Sequence, residues 1–207
     1  EIADHVTLAR TLATIAQRHG VKRATITLPE ARGSLFEADA TGKNRKQWRT
    51  SIEQHLDEFV PLPPSEVSFD VAPLTIKGDD VHVIGIGYAR RVAEATIQTF
   101  EDAGIEVRSL ESETFALPRA ILPHGDTETV MIIDIGKTTT KLLVVSHRLP
   151  RFATTLEVGG HSLTLAVQKH FGVTEEEAKR VKAEQGLVAG ADNAEYQAAM
   201  LTTVSVI

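Results

Sequence analysis

The chain has 207 residues, 42% hydrophobic and 24% charged, enough apolar material for a real core in one or two subdomains. Its net charge of −6 and the lack of any polybasic run argue against nucleic acid or an anionic lipid surface as a direct partner. The absence of cysteine removes disulfides, thiolate metal sites and cysteine nucleophiles and fits a reducing compartment, and no stretch approaches the ~20 apolar residues of a membrane span.

In chain order, Val6, Leu8, Ala9, Leu12, Ile15 and Ala16 repeat at helical spacing and predict a helix over 4–19, ended by Gly20. Ala24–Leu28 reads as a short strand stopped by Pro29, with a second strand at Ser34–Ala38, the two suggesting a hairpin. A helix over 45–59 carries Trp48, Ile52, Leu56 and Phe59 on one stripe, read as core, and the Pro61, Pro63, Pro64 cluster ends it. Val67–Ile76 alternates as an edge strand, and the turn Gly78-Asp79-Asp80 leads into the apolar strand Val81–Tyr88. A helix at about 90–103, a strand at 105–110 and a helix at about 112–122 follow. Strands alternating with helices of this length indicate an α/β fold.

The run Met131–Val145, MIIDIGKTTTKLLVV, reads as a buried strand, a tight polar turn and a returning strand. The first strand ends in Asp134, and the turn holds Gly136, Lys137, Thr138 and Thr139. Such a turn can present backbone N–H groups and hydroxyls to a phosphate, with a carboxylate beside them for a metal ion. Gly136 lets the backbone come close. A third strand, Pro150–Leu156, precedes Gly159-Gly160 at the start of an amphipathic helix, where free N–H groups and the macrodipole favour an anion. Thr174 then caps a helix with Glu175, Glu176 and Glu177 in its first turn and Lys182 further on. The eight histidines show no metal-ligand spacing, and Gly85-x-Gly87 lacks the third glycine of a dinucleotide loop.

This ordered set, acid-glycine hairpin, strand, Gly-Gly helix and acid-rich helix, resembles the actin-like ATPase superfamily. The hairpin is similar to its second phosphate loop and the later helix to its adenosine-side helix. Phe59–Asp70, FVPLPPSEVSFD, resembles the proline-containing segment in the extra subdomain of the PilM family of type IV pilus assembly proteins and of its relative, the FtsA division proteins. Glu111–Ala120 resembles the PilM-family helix that leads into the hairpin. The similarity covers most of residues 20 to 186. FtsA proteins usually carry Thr-Thr-Asp where this chain has Thr139-Thr140-Lys141, which places PilM first.

The resemblance implies an α/β, actin-like (ribonuclease H-like) fold fragment with an inserted small α+β subdomain, the extra subdomain at 1–80 and part of the actin-like core at 81–207. It implies a piece of a longer protein, with ATP and Mg²⁺ bound weakly or not at all by this length of chain. The expected nucleotide contacts are Asp134, Gly136, Lys137, Thr138, Thr139, Gly159, Gly160 and Lys182, with Asp134 also serving the metal. Two departures stand out. Lys137 replaces a small residue common in the family, and the position three before Lys182, commonly an acid, is Lys179. The implied role is a cytoplasmic scaffold, peripheral to the inner membrane, that docks the N-terminal cytoplasmic peptide of a PilN-like membrane protein, with Pro61, Pro63, Val67 and Phe69 as contact candidates. The alternatives are an FtsA-like division protein or a degenerate, non-hydrolysing actin-like scaffold.

Overall fold

The computed structural model describes residues 4–186 and 193–205. Contacts divide the chain into two compact units, the first comprising Glu1–Val130 and Val145–Phe152 and the second Met131–Val144 and Ala153–Ile207.

The first unit opens with α1 (His5–His19). The Asp4 carboxylate caps it by accepting the Val6 N–H at 2.9 Å, and Gly20, in the left-handed region, closes it by donating to Ala16 O. Its apolar side contributes Ala16, Leu12 and Ala13 to a small core with Phe100, Ala103 and Ile105. β1 (Arg23–Leu28) and β5 (Glu106–Ser112) pair in parallel. The predicted hairpin over 24–38 therefore does not form. β2 (Gly33–Thr41) belongs to another sheet, because the Pro29 corner and the 3₁₀ turn Glu30–Arg32 carry the chain from one sheet to the other.

That second sheet has the order β2-β4-β3, with β3 (Val67–Lys77) and β4 (Asp80–Ala89) forming the expected hairpin around Gly78. β3 is an edge strand, and a register shift between Pro73 and Thr75 makes a bulge where the proline lacks its N–H. α2 (Arg45–Glu53) covers one face of the sheet. Asn44 caps it through Gln47 N–H, and the Trp48 indole N–H donates to Gly42 O at 2.7 Å. The predicted helix to residue 59 ends early, at Glu53, and a 3₁₀ turn Leu56–Glu58 follows. That tighter winding still turns Leu56 fully inward, so Trp48, Ile52 and Leu56 join Phe36, Val60, Val67, Val71 and Val83 in one core, with Phe59 packed beside them. Gly85 faces Phe36 across the β2–β4 ladder, and a Cβ there would lie 2.3 Å from the Phe36 ring, which in turn stacks on Phe59. The Gly85-x-Gly87 pair thus makes room for Phe36 and Val60.

The two sheets are tied by Tyr88, whose hydroxyl meets Ser112 Oγ at 2.9 Å and reaches the carbonyls of Leu28 and Pro29. Burial disfavours its phenolate and pushes its pKa up to about 12. α3 (Arg90–Asp102) and α4 (Glu113–Ile121) follow β4 and β5, and Ser112 caps α4. Strand pairing runs across residue 80, where the sequence suggests a subdomain boundary: β4 completes the sheet of β2 and β3, and β5 pairs with β1.

β6 (Thr129–Ile135), β7 (Thr140–Ser146) and β8 (Leu149–Leu156) form a third sheet in that order. In the second unit α5 (Gly160–Phe171), α6 (Glu175–Gln185) and α7 (Ala194–Val204) share a core of Leu163, Val167, Ala178, Tyr196 and Met200. α7 lies where the sequence predicts no element.

Two stability outcomes follow from the first unit. Gly85→Val forces a branched side chain onto the Phe36 ring and should cost about 1–3 kcal/mol in urea unfolding; an unchanged midpoint would mean the ring moves aside freely. His82 sits between Glu37 (2.9 Å) and Asp39 (2.8 Å), and these hydrogen bonds raise its pKa, Glu37 contributing most. A raised pKa in the folded state stabilises the fold below the ordinary histidine value, and the gain is lost as pH rises through the folded pKa. The site is partly exposed, so His82→Gln should remove less than about 1 kcal/mol, and only on the acid side of that window. Urea midpoints of the two proteins at a series of pH values test this.

Candidate functional site

The hairpin, the start of α5 and Lys182 from the last turn of α6 converge in the second unit. Gly136 N–H donates to Thr139 O at 2.9 Å and closes the turn between β6 and β7. Four residues cannot carry the chain across to a parallel neighbour, so these adjacent strands are antiparallel. The predicted burial of β6 is only half met. Ile132 is buried, but Met131, Ile133 and Ile135 on the other face are 62%, 50% and 53% exposed.

The start of α5 is bonded directly to the hairpin. Gly160 N–H donates to Gly136 O at 2.9 Å and His161 N–H to Lys137 O at 2.7 Å. The buried Thr140 hydroxyl donates to Val158 O at 2.7 Å. Gly159 is the point of closest approach, since a Cβ there would lie 2.8 Å from Gly136 O, Thr138 C and Thr139 N. α6, capped by Thr174 through Glu177 N–H, sends Lys182 back to this corner, where its ammonium donates to Gly160 O at 2.7 Å and Thr164 Oγ1 at 3.0 Å. Gly136, Lys137, Thr138, Thr139, Gly159, Gly160 and Lys182 are thus brought together, with Asp134 at the end of β6. Sequence reasoning missed Thr140, His161 and Thr164, whose roles depend on tertiary packing.

The arrangement corrects one expectation. The helix start, expected from the sequence to offer free N–H groups to an anion, gives those of Gly160 and His161 to hairpin carbonyls. The glycine pair serves backbone approach, and Lys182 clamps the first turn of α5. Exposed at the turn are Lys137 and Thr138, with Thr139 half-buried. Asp134, 45% exposed, has Lys141 Nζ 3.8 Å from its Oδ2. The Glu175 carboxyl is held below its usual range chiefly by its hydrogen bond from Lys179, with His161 and Lys137 adding smaller pulls. The acid missing three positions before Lys182 is therefore a lysine engaged with its own helix, 2.6 Å from Glu175. Among the described residues no group of three or more His, Asp or Glu can hold a metal ion.

A second feature lies in the first unit. A groove of about 520 Å³ runs beside β3 between the two sheets. Ile86, Leu110 and Phe115 supply its apolar lining, and the ion pairs Arg45–Asp70 and Arg119–Glu111 stand on its walls. A smaller cavity of about 150 Å³ shares Ile86 and Leu110 with it and is lined by Phe69. Of the partner-contact candidates, Pro61 and Pro63 are exposed, Phe69 is half-buried under the Arg49 guanidinium, and Val67 is 3% exposed, its side chain committed to the core. The groove residues were not legible, because the β1–β5 pairing that builds one wall joins segments 83 residues apart, as at Arg23 and Glu106.

The architecture is that of an actin-like protein. A chain of the solved PilM–PilN type IV pilus biogenesis complex superposes with a TM-score of 0.73 at 19% identity, over 98% of this chain and 61% of that one. MreB5 of Spiroplasma citri bound to AMPPNP matches with a TM-score of 0.57 at 17% identity, over 99% of this chain and 55% of that one. The cytoplasmic domain of EpsL, from the type II secretion system of Vibrio cholerae, matches with a TM-score of 0.52 at 13% identity, over 81% of this chain and 63% of that one. The chain thus spans less than two thirds of the length of each. A family model described as type IV pilus assembly protein PilM matches residues 38–203, and the chain belongs to that family. Among the described residues no helix is long and apolar enough to cross a membrane.

The two glycines should respond differently to alanine. Gly159→Ala pushes backbone against backbone and should cost about 1–3 kcal/mol, with faster amide exchange across 136–140. A Cβ at Gly160 meets nothing nearer than 3.6 Å, so Gly160→Ala should change stability by under about 0.5 kcal/mol. Equal losses at both would contradict this account of the corner.

Proposed function

We propose that this chain is the peptide-docking and phosphate-loop portion of an actin-like scaffold in the type IV pilus assembly platform. The groove beside β3 takes an extended cytoplasmic segment, the N-terminal peptide of a PilN-like inner-membrane protein, and so ties the scaffold to the membrane. The observation that carries this reading is the coincidence of an apolar-floored groove with a free strand edge. A peptide can place apolar anchors against Ile86, Leu110 and Phe115, while its backbone pairs with β3 ahead of the Pro73 bulge. The membership in the PilM family and the likeness to a chain solved with PilN support the choice of partner.

In the second unit the turn is the candidate ATP contact. Lys137, Thr138 and Thr139 offer a point charge, hydroxyls and N–H groups to the phosphates, on a loop held by its carbonyls against α5. A nucleotide-silent scaffold is the second reading. It is favoured by the engagement of the Gly160 and His161 N–H groups and the Lys182 ammonium within the protein.

Titration of the labelled N-terminal peptide of the PilN-like partner into the intact natural protein, followed by fluorescence anisotropy, tests the docking. Phe115→Asp and Leu110→Asp should each weaken binding at least tenfold, because a carboxylate replaces an apolar wall. Full affinity in both variants, with contacts confined to 150–207, would instead favour a polymerisation or division role.

A further inference from the structure

The cation beside the hairpin acid belongs to the protein. Asp134, next to last in β6, stands where a carboxylate can serve a divalent ion, yet its Oδ2 lies 3.8 Å from the Lys141 ammonium, delivered by the adjacent strand β7. Lys141 is 23% exposed on its side chain, so its charge is held at this place and does not simply extend into solvent. Among the described residues Asp134 is part of no group of three or more His, Asp or Glu that could hold a metal ion. Lys137 adds another positive charge in the turn, so the run from Asp134 to Lys141 carries one acid and two lysines. A divalent ion entering beside Asp134 would meet the Lys141 ammonium at close range, and like charges at that distance repel. The residues present do not fit Mg²⁺.

We propose that Lys141 takes the place of the divalent ion, so that this hairpin engages a nucleoside triphosphate by protein cations alone, without a metal. The proposal rests on the phosphate-loop reading above and fixes the ionic form of the ligand, the metal-free triphosphate. Asp134 holds the Lys141 ammonium in position, and Lys137 and Lys141 together balance phosphate charge that a metal would otherwise neutralise.

The test is calorimetric titration of ATP into the intact natural protein, once with excess Mg²⁺ and once with EDTA. It is repeated on Lys141→Thr, and Mn²⁺ binding in the absence of nucleotide is followed by electron paramagnetic resonance. The wild-type dissociation constant should differ less than about threefold between Mg²⁺ and EDTA. Lys141→Thr should lose affinity in EDTA, regain it with Mg²⁺ by at least about tenfold, and immobilise Mn²⁺ that the wild type leaves free. A wild type that needs Mg²⁺ by tenfold or more, with Lys141→Thr unchanged in that dependence, overturns the proposal while leaving the phosphate-loop reading intact. No ATP binding by the intact protein in either condition overturns both.

Discussion

The backbone of Gly159 lies against the turn of the β6–β7 hairpin with no room for a side chain between them. Around that approach the second unit is organised. The hairpin carbonyls of Gly136 and Lys137 satisfy N–H groups at the start of α5 that helix geometry leaves without partners. Lys182 from α6 bonds the Gly160 carbonyl and Thr164 in the same turn. A loop that would otherwise be a polar excursion between two strands becomes a rigid corner, its shape set by backbone bonds more than by side-chain packing. Such a corner can present Thr138 and Lys137 outward at low entropic cost, because their backbone is already fixed.

The first unit is organised differently. Its central element is β4, paired along its length with both β2 and β3, and its glycines are filled by neighbours. Gly85 accepts the Phe36 ring and Gly87 the Val60 side chain, so the sheet packs closely against the α2 layer. From the end of the same strand, Tyr88 reaches across to Ser112 and the carbonyls of Leu28 and Pro29. The groove beside β3 is what this layout leaves open between two sheets joined at one end by a buried hydroxyl network.

Much of this was legible in sequence where the signal is local. The cap Thr174, the turn glycines Gly20 and Gly78, and the acid-glycine hairpin each follow from the conformation of a few adjacent residues. The early end of α2 was not legible, because Leu56 and Phe59 keep helical spacing while the chain winds more tightly. The one-sided exposure of β6 was hidden because Met131, Ile132 and Ile133 form a continuous apolar run, and alternation is what marks a one-sided strand. The parallel β1–β5 pair could not be read at all, since pairing between distant segments leaves no trace in local periodicity. At the site, residue types identified the loop. They could not reveal that its neighbours' donors were already engaged or that Lys141 stands beside Asp134, because both are outcomes of packing.

The bulge at Pro73 and Leu74 sets a limit on anything that adds to the free edge of β3. A strand laid along that edge can continue a regular ladder only from Val67 to Ala72, because the next position lacks a donor and the register then slips. At about 3.3 Å per residue, six residues give a track of about 20 Å, enough for one short peptide strand and too little for a long sheet-to-sheet joint. The same irregularity would blunt association of this edge with other copies and would act as a ruler on any guest strand, limiting its length before any side chain is read.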